Sequence, residues 1–453
     1  MESARLKAVK RRIATKTLQL LKRMSCELPI PPTSQERSTR LRVQLAGLIV
    51  LSILLFPGSF LAPSPRQLSS DAPQYESAEQ CRRCHLARYN EWKGSMHSKS
   101  APKTNPLFAK LYERAVLDTK GETKKYCIRC HAPVADLNGD TELIQPLTSE
   151  GVNCDVCHTI SEMSIEPAYW PYVRDPGPLK RGPSDARKPK GHKTTKSGLF
   201  TSSRICLGCH GAVSDFEGRA GCSCLAICDT RSEWLESPYP DQESDCKSCH
   251  MKKGAKGKQR LHYFEGTQKG DLLKTAATLR IKTSDSAGNL DIFVEVENSG
   301  TGHLLPTGPP TRMVYLKVEA RDESGKTLWS NFKDNPLAED RYSVFMLTLA
   351  DSAGKVPALP WAARKIAMDT RLEPMKKTGL FYRIPRAGVN KVAATLFYRL
   401  APLPLLNELG ITDRYYLEPK IMTQASRELA VPLVPDRFSP HEPAFPGGRK
   451  DKE

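Results

Sequence analysis

Five copies of one short word, Cys-x-x-Cys-His, constrain this chain more than any other feature. They stand at Cys81, Cys84 and His85; Cys127, Cys130 and His131; Cys154, Cys157 and His158; Cys206, Cys209 and His210; and Cys246, Cys249 and His250. With 14 Cys and 10 His in 453 residues, roughly 0.01 such words would arise by chance. Two thiols three residues apart lie on one helical turn, where each can add to a vinyl group of the same haem while the adjacent His reaches the iron. Each word therefore predicts one covalently attached haem c, five in all, with His85, His131, His158, His210 and His250 as proximal ligands. Disulfides would not require a His in every copy. Zinc would need four ligands per site and words used in pairs, which five copies do not allow.

The words also set what kind of core is possible. Only 39% of the residues are apolar and 7% aromatic, with 35 Pro, a thin supply for a hydrocarbon interior in a chain of this length. Porphyrins can fill the deficit if short helices carry the words and loops join them. The expected organisation is a loop-rich, mainly α pentahaem domain over 75–268. From about Leu272 the texture changes to alternation, as in Leu290, Ile292, Val294 and Val296, or Val392, Ala394, Leu396 and Tyr398. Such period-2 runs, broken by Ser-Ala-Gly, Glu-Ser-Gly and Arg-Ala-Gly turns, predict an antiparallel β-sandwich over 270–400. Residues 401–453, with eight Pro, are expected to form a largely extended tail with a short helix near Leu405.

Ahead of these regions, residues 1–42 hold 11 Lys/Arg against 3 Asp/Glu, a net of +8. The apolar run 43–62 follows at once. This order reads as a basic cytoplasmic flank, 1–42, and an uncleaved transmembrane signal-anchor, 43–62, with a linker over 63–74. The rest of the chain is then expected on the periplasmic or extracytoplasmic side of the cytoplasmic membrane. The formal charge of +18 leaves 18 − 8 = +10 for that exported part. Five haems would offset it by about −5 when oxidised and about −10 when reduced, counting propionates and iron. The basic loops at 171–196 and 251–260 are accordingly read as propionate partners and docking patches, and no nucleic-acid partner is expected.

Five His remain after the proximal set. His97 follows Tyr89 and Trp92, which line one side of a helix running on from His85. His192 lies in a basic Pro/Gly loop that can deliver a ligand to another haem, and His262 comes just after the last word. His303 sits in Gly-Thr-Gly-His-Leu-Leu-Pro-Thr-Gly, where Gly302 permits close approach. These four are the candidate distal ligands, and the residues alone do not say which haem each serves. His441, in the Pro-rich tail, reads as an exposed residue. One haem then lacks a histidine sixth ligand, so that Met96, Met163 or Met251 serves it, or its position is open.

The run from Cys81 to His97, with Tyr89, Trp92 and Ser95 between, resembles the opening of exported multihaem cytochromes related to the tetrahaem partner of hydroxylamine oxidoreductase. Cys127-Ile-Arg-Cys-His-Ala-Pro133, Glu150-Gly-Val-Asn-Cys-Asp-Val-Cys-His158 and Trp234-Leu-Glu-Ser-Pro-Tyr239 extend the resemblance. The Gly302-His-Leu-Leu-Pro-Thr-Gly308 turn before a β-region is similar to multihaem cytochromes carrying such a module. The resemblance implies His97, His192, His262 and His303 as distal ligands. Cys222, Cys224 and Cys228 lack a following His and fall outside it; a disulfide between two of them is the expectation. Cys26 lies on the cytoplasmic side. No Cys-x-x-Cys-Lys word is present, although that variant marks the catalytic haem in the resembling pentahaem nitrite reductases. The expected function is electron relay between membrane and extracytoplasmic redox partners, with a quinol-oxidising membrane complex as donor and no catalytic residue assigned. The alternative is oxidation or reduction of a small nitrogen or sulfur compound at an open haem.

Overall fold

The computed structural model describes residues 75–163, 172–184, 190–214, 225–242, 244–255, 257, 259–267 and 270–430. The predicted flank, anchor and linker lie outside the described residues, as do His441, Cys26, Cys222 and Cys224. Among the described residues no helix is long and apolar enough to cross a membrane.

The N-terminal region is built of short helices: α1 (Ala78–Lys93), α2 (Pro106–Asp118), α3 (Lys124–His131), α4 (Cys154–Thr159), α5 (Arg204–Leu207), α6 (Thr230–Leu235) and α7 (Cys246–His250). Only small strand pairs accompany them: β1 (Ile160–Met163) with β2 (Tyr172–Arg174), β3 (Leu179–Gly182) with β4 (Lys193–Lys196), and β5 (Ala212–Ser214) with β6 (Leu225–Cys228). Apolar contacts here come in separate small clusters, such as Tyr75, Val134 and Val156 or Ala78, Tyr89 and Trp92.

The C-terminal region is a sandwich of two antiparallel sheets. One holds β7 (Thr278–Ser286), β8 (Asn289–Glu297) and β13 (Lys377–Pro385) in the order β13-β8-β7. The other holds β9 (Met313–Arg321), β10 (Thr327–Ser330), β11 (Val344–Asp351), β12 (Ala363–Asp369), β14 (Lys391–Arg399) and β15 (Lys420–Glu428), in the order β12-β11-β9-β14-β15 with β10 also on β9. The alternation dictates the packing: Leu290, Ile292, Val294 and Val296 of β8 face Val314, Leu316 and Val318 of β9 and Val392, Ala394 and Leu396 of β14 in one buried cluster. Register within each sheet lines these side chains up on one face, with Val294 beside Leu380 and Leu316 beside Leu396. The β7–β8 hairpin turns at Ala287 and Gly288, both at positive φ (46° and 79°), the geometry that suits a tight two-residue turn to the strand twist.

The tail holds the short helix expected near Leu405 but departs from expectation in its further helix and strand. Residues beyond Ala401 form α8 (Leu403–Glu408), α9 (Arg414–Leu417) and β15, which pairs with β14 along its length. Between 405 and 430 the only proline is Pro419, so nothing in 420–428 blocks a ladder, and Met422 joins the sandwich core. Leu406, Ile411 and Tyr416 of this segment pack against Leu107 of α2, which ties the two regions together.

Candidate functional site: paired imidazoles at the repeated words

Each word sits where a helix begins or ends, because the spacing needs one turn and the imidazole must then leave the helix. Asn153 caps α4 by accepting from the Val156 amide at 2.9 Å, and Asp245 caps α7 by accepting from the Ser248 amide at 2.9 Å. His131 and His250 are the last residues of α3 and α7, and His85 breaks α1 with φ −116° and ψ 40°.

The segment Glu150–Asn153 docks the first and third words together. Glu150 accepts from the Ala78 amide and from Asn153 Nδ2, both at 2.9 Å, and from the Ser77 hydroxyl. Trp92 Nε1 donates to the Val152 carbonyl at 2.8 Å. Gly151 has φ +71°, and a Cβ there would stand 2.4 Å from the His97 carbonyl oxygen. Only glycine fits, and the Val152 amide then donates to that same carbonyl at 2.9 Å, fixing the His97 backbone.

Four motif imidazoles are each opposed by one of the four remaining described His. Ring centres are 6.2 Å apart for His85 and His192, 6.2 Å for His97 and His210, 6.5 Å for His158 and His262, and 6.3 Å for His250 and His303. With a metal–nitrogen distance of about 2.0–2.1 Å and about 1.1 Å from nitrogen to ring centre, two imidazoles on opposite faces of one iron stand about 6.2–6.4 Å apart. The residues present therefore fit a haem iron at each pair.

Hydrogen bonding sets the tautomers to match. The Nδ1–H groups of His158 and His250 donate to the carbonyls of Arg181 and Glu265 at 2.6 and 2.5 Å. Those of His192, His262 and His303 donate to the carbonyls of Lys193, Arg260 and Leu304 at 3.1, 3.1 and 2.9 Å. A carbonyl can only accept, so Nε2 is left unprotonated and free for a metal. His97 differs: its Nδ1 is buried with no hydrogen-bond partner, a polar atom that a group outside the polypeptide would have to satisfy. Burial pushes His97 down to about 3 and His210, His262 and His303 down to about 4. These imidazoles are thereby held in the neutral, ligating form.

The second word stands apart. Among the described residues no imidazole opposes His131. Its Nδ1 lies 3.3 Å from the Ser100 carbonyl, and Phe108 stacks on its face at 4.1 Å with the planes 21° apart. Of the methionines named for a missing ligand, Met163 is packed among Ile160, Tyr172 and Leu199. Cys228 carries a free thiol, so it takes no part in the disulfide expected of its segment.

The words also touch one another through their sulfurs, which stand here as thiols and would be thioethers with haem attached. The thiol of Cys81 lies beside that of Cys154, Cys130 beside Cys209, and Cys206 beside Cys246. Cys157 of the third word lies near Cys206 and Cys209 of the fourth. All five attachment points thus form one connected set, with the fourth word linked to the second, third and fifth.

Sequence reasoning missed the joint that brings His303 to His250. Glu233 of α6 accepts from Arg371 Nη1 at 2.5 Å and from the Thr307 hydroxyl at 2.5 Å. A Cβ at Gly302 would sit 3.0 Å from the Tyr239 ring, so the His303 turn lies hard against the segment before α7. Trp234-Leu-Glu-Ser-Pro-Tyr239 was a readable motif, but nothing local in it names Arg371 as partner.

A family model described as cytochrome c554 and c-prime matches residues 80–159, which span the first three words. With the fold and the paired imidazoles, that match supports a multihaem c-type cytochrome carrying covalently bound haem for electron transfer. Among solved structures, the crystal structure of a penta-heme cytochrome c552 from Thermochromatium tepidum is similar with a TM-score of 0.68 and 26% identity, covering 78% of this chain and 99% of that one. A β-glucosidase from Kluyveromyces marxianus matches with a TM-score of 0.15 and 10% identity over 35% of this chain and 14% of that one, too distant to carry an argument. No curated protein sequence matches.

Proposed function

We propose that the chain is a membrane-anchored pentahaem cytochrome c that relays electrons between a quinol-oxidising membrane complex and periplasmic or extracellular redox partners. The observation that carries this reading is the opposition of four motif imidazoles by four others at the spacing of a single iron. Haem supplies one-electron Fe(III)/Fe(II) chemistry, and His/His ligation closes both faces of the iron, leaving outer-sphere transfer. The chain's own residues do the rest. Cysteines of neighbouring words lie side by side, so the groups they would tether would stand close to one another, and backbone carbonyls orient the rings that would ligate them. The resemblance to the tetrahaem partner of hydroxylamine oxidoreductase favours the same reading. Residues 43–62 would hold the relay at the membrane and the basic flank would keep its N-terminus in the cytoplasm.

A second reading is favoured by one specific observation: His131 faces no second imidazole among the described residues. A haem there would keep an open position, where a small nitrogen or sulfur compound could bind. Electron paramagnetic resonance of the oxidised protein, with and without nitrite or hydroxylamine, separates the two. Signals indifferent to both compounds are expected of a relay. A high-spin signal that shifts with either would move the function to catalysis at the second word.

A further inference from the structure

We propose that Arg312 is a carboxylate clamp serving the fourth and fifth haem sites: its guanidinium holds a haem propionate where the β-sandwich meets those sites, and raises the reduction potential there. This rests on the haem reading above. Arg312 lies nine residues after His303 and immediately before β9. Its guanidinium lies against Gly308, where a Cβ would stand 2.7 Å from Nη1 and 3.1 Å from Cζ, and Gly308 itself has φ +87°. The left-handed backbone favours glycine at that position, and the missing Cβ leaves room for the guanidinium. Nη1 donates to the Thr307 carbonyl at 2.9 Å, and the Thr307 side chain is pinned in turn by Glu233 and by the Thr230 hydroxyl, the latter at 2.7 Å. The guanidinium is thus held in one orientation before any ligand arrives.

What it is oriented toward follows from its neighbours. Arg312 stands near His210 of the fourth word, His303 opposite the fifth, Cys228 and the buried Tyr398. Among the described residues no carboxylate lies within ion-pairing distance of it. Glu233 is already engaged by Arg371 and Thr307. A half-buried guanidinium has five donors in a planar fork suited to a carboxylate. One donor goes to Thr307, and leaving the charge without a counterion in such a place is costly. Each haem would bring two propionate carboxylates, and Arg312 stands near an imidazole of both the fourth and the fifth sites. When iron passes from Fe(III) to Fe(II), one electron arrives from a neighbouring haem and the site gains one negative charge. A fixed cation stabilises that reduced state, and a propionate left unpaired destabilises it.

The test is a redox titration of the full-length holoprotein with Arg312→Gln, after the intact mass has shown how many haems are attached. An unmodified wild-type mass would overturn the haem reading itself, and the clamp with it. With five haems present in wild type and variant, at least one of the five one-electron steps should become about tenfold less favourable, a shift of about 59 mV to lower potential. Arg383→Gln, on the exposed face of the sandwich, should move none. Five steps unchanged in Arg312→Gln would overturn the clamp while leaving the haem reading intact. A shift seen only in phosphate buffer would assign the site to a free anion and overturn the propionate. Should the Gln variant fail to accumulate, Arg312→Lys keeps the charge and loses the planar fork: a smaller fall in the same step supports the proposal, and a Lys variant identical to wild type overturns it.

Discussion

The two halves of this chain reach a folded state by different means. The sandwich buries one continuous apolar cluster running from Leu273 to Met422, enough to order two sheets through the hydrophobic effect alone. The haem region has only scattered groups such as Ala101, Ile128, Ala132, Ala135 and Leu143, and its largest organised feature is a set of opposed imidazoles and touching cysteines. One half is held by side chains that pack on each other, the other by residues arranged around something larger than a side chain. That difference explains why one polypeptide can be lean in apolar residues and still well ordered in both parts.

Blocking haem attachment should separate the two halves most sharply. Replacing the ten motif cysteines by serine should abolish the fold of the haem region, while limited proteolysis should still yield a protected fragment starting near residue 270. Equal protection of both halves would contradict the distinction, and so would loss of both. Next in size is Leu396→Ala. This removes a fully buried side chain at the centre of the sandwich and should cost about 2–5 kcal/mol, seen as a lower thermal midpoint with an unchanged haem spectrum. A smaller effect is expected at a contact that joins the halves. Trp361 Nε1 donates to Asp118 at 2.9 Å, and Trp361→Phe should cost about 0.5–1.5 kcal/mol, measured by denaturant titration, without altering either half's own signature.

The same contrast governs what could be read in advance. The strands were legible because a period of two is written locally: Leu290 to Val296 and Val392 to Tyr398 each declare a buried face without reference to the rest of the chain. The words were legible because their chemistry is also local. Pairing was not, since His97 reaches His210 and His158 reaches His262 only after loops dock through Glu150, Gly151 and Glu91, the last accepting from the His262 amide at 2.8 Å. The prolines around the tail masked β15, because their number in 401–453 says nothing about the stretch 420–428 that lacks them. Arg312 and Arg371 are single charged residues with no local pattern. Their meaning comes from what lies across the joint.

In the proposed relay, four opposed imidazole pairs would each hold a haem iron and the second word would hold one with a single histidine. Intact mass combined with spin quantification of the oxidised protein tests this most directly. The expected result is a mass five haems above the polypeptide and a spectrum integrating to four low-spin His/His irons, with the fifth distinct from them. A mass without haem increments, or fewer than four His/His irons among five haems, would contradict it.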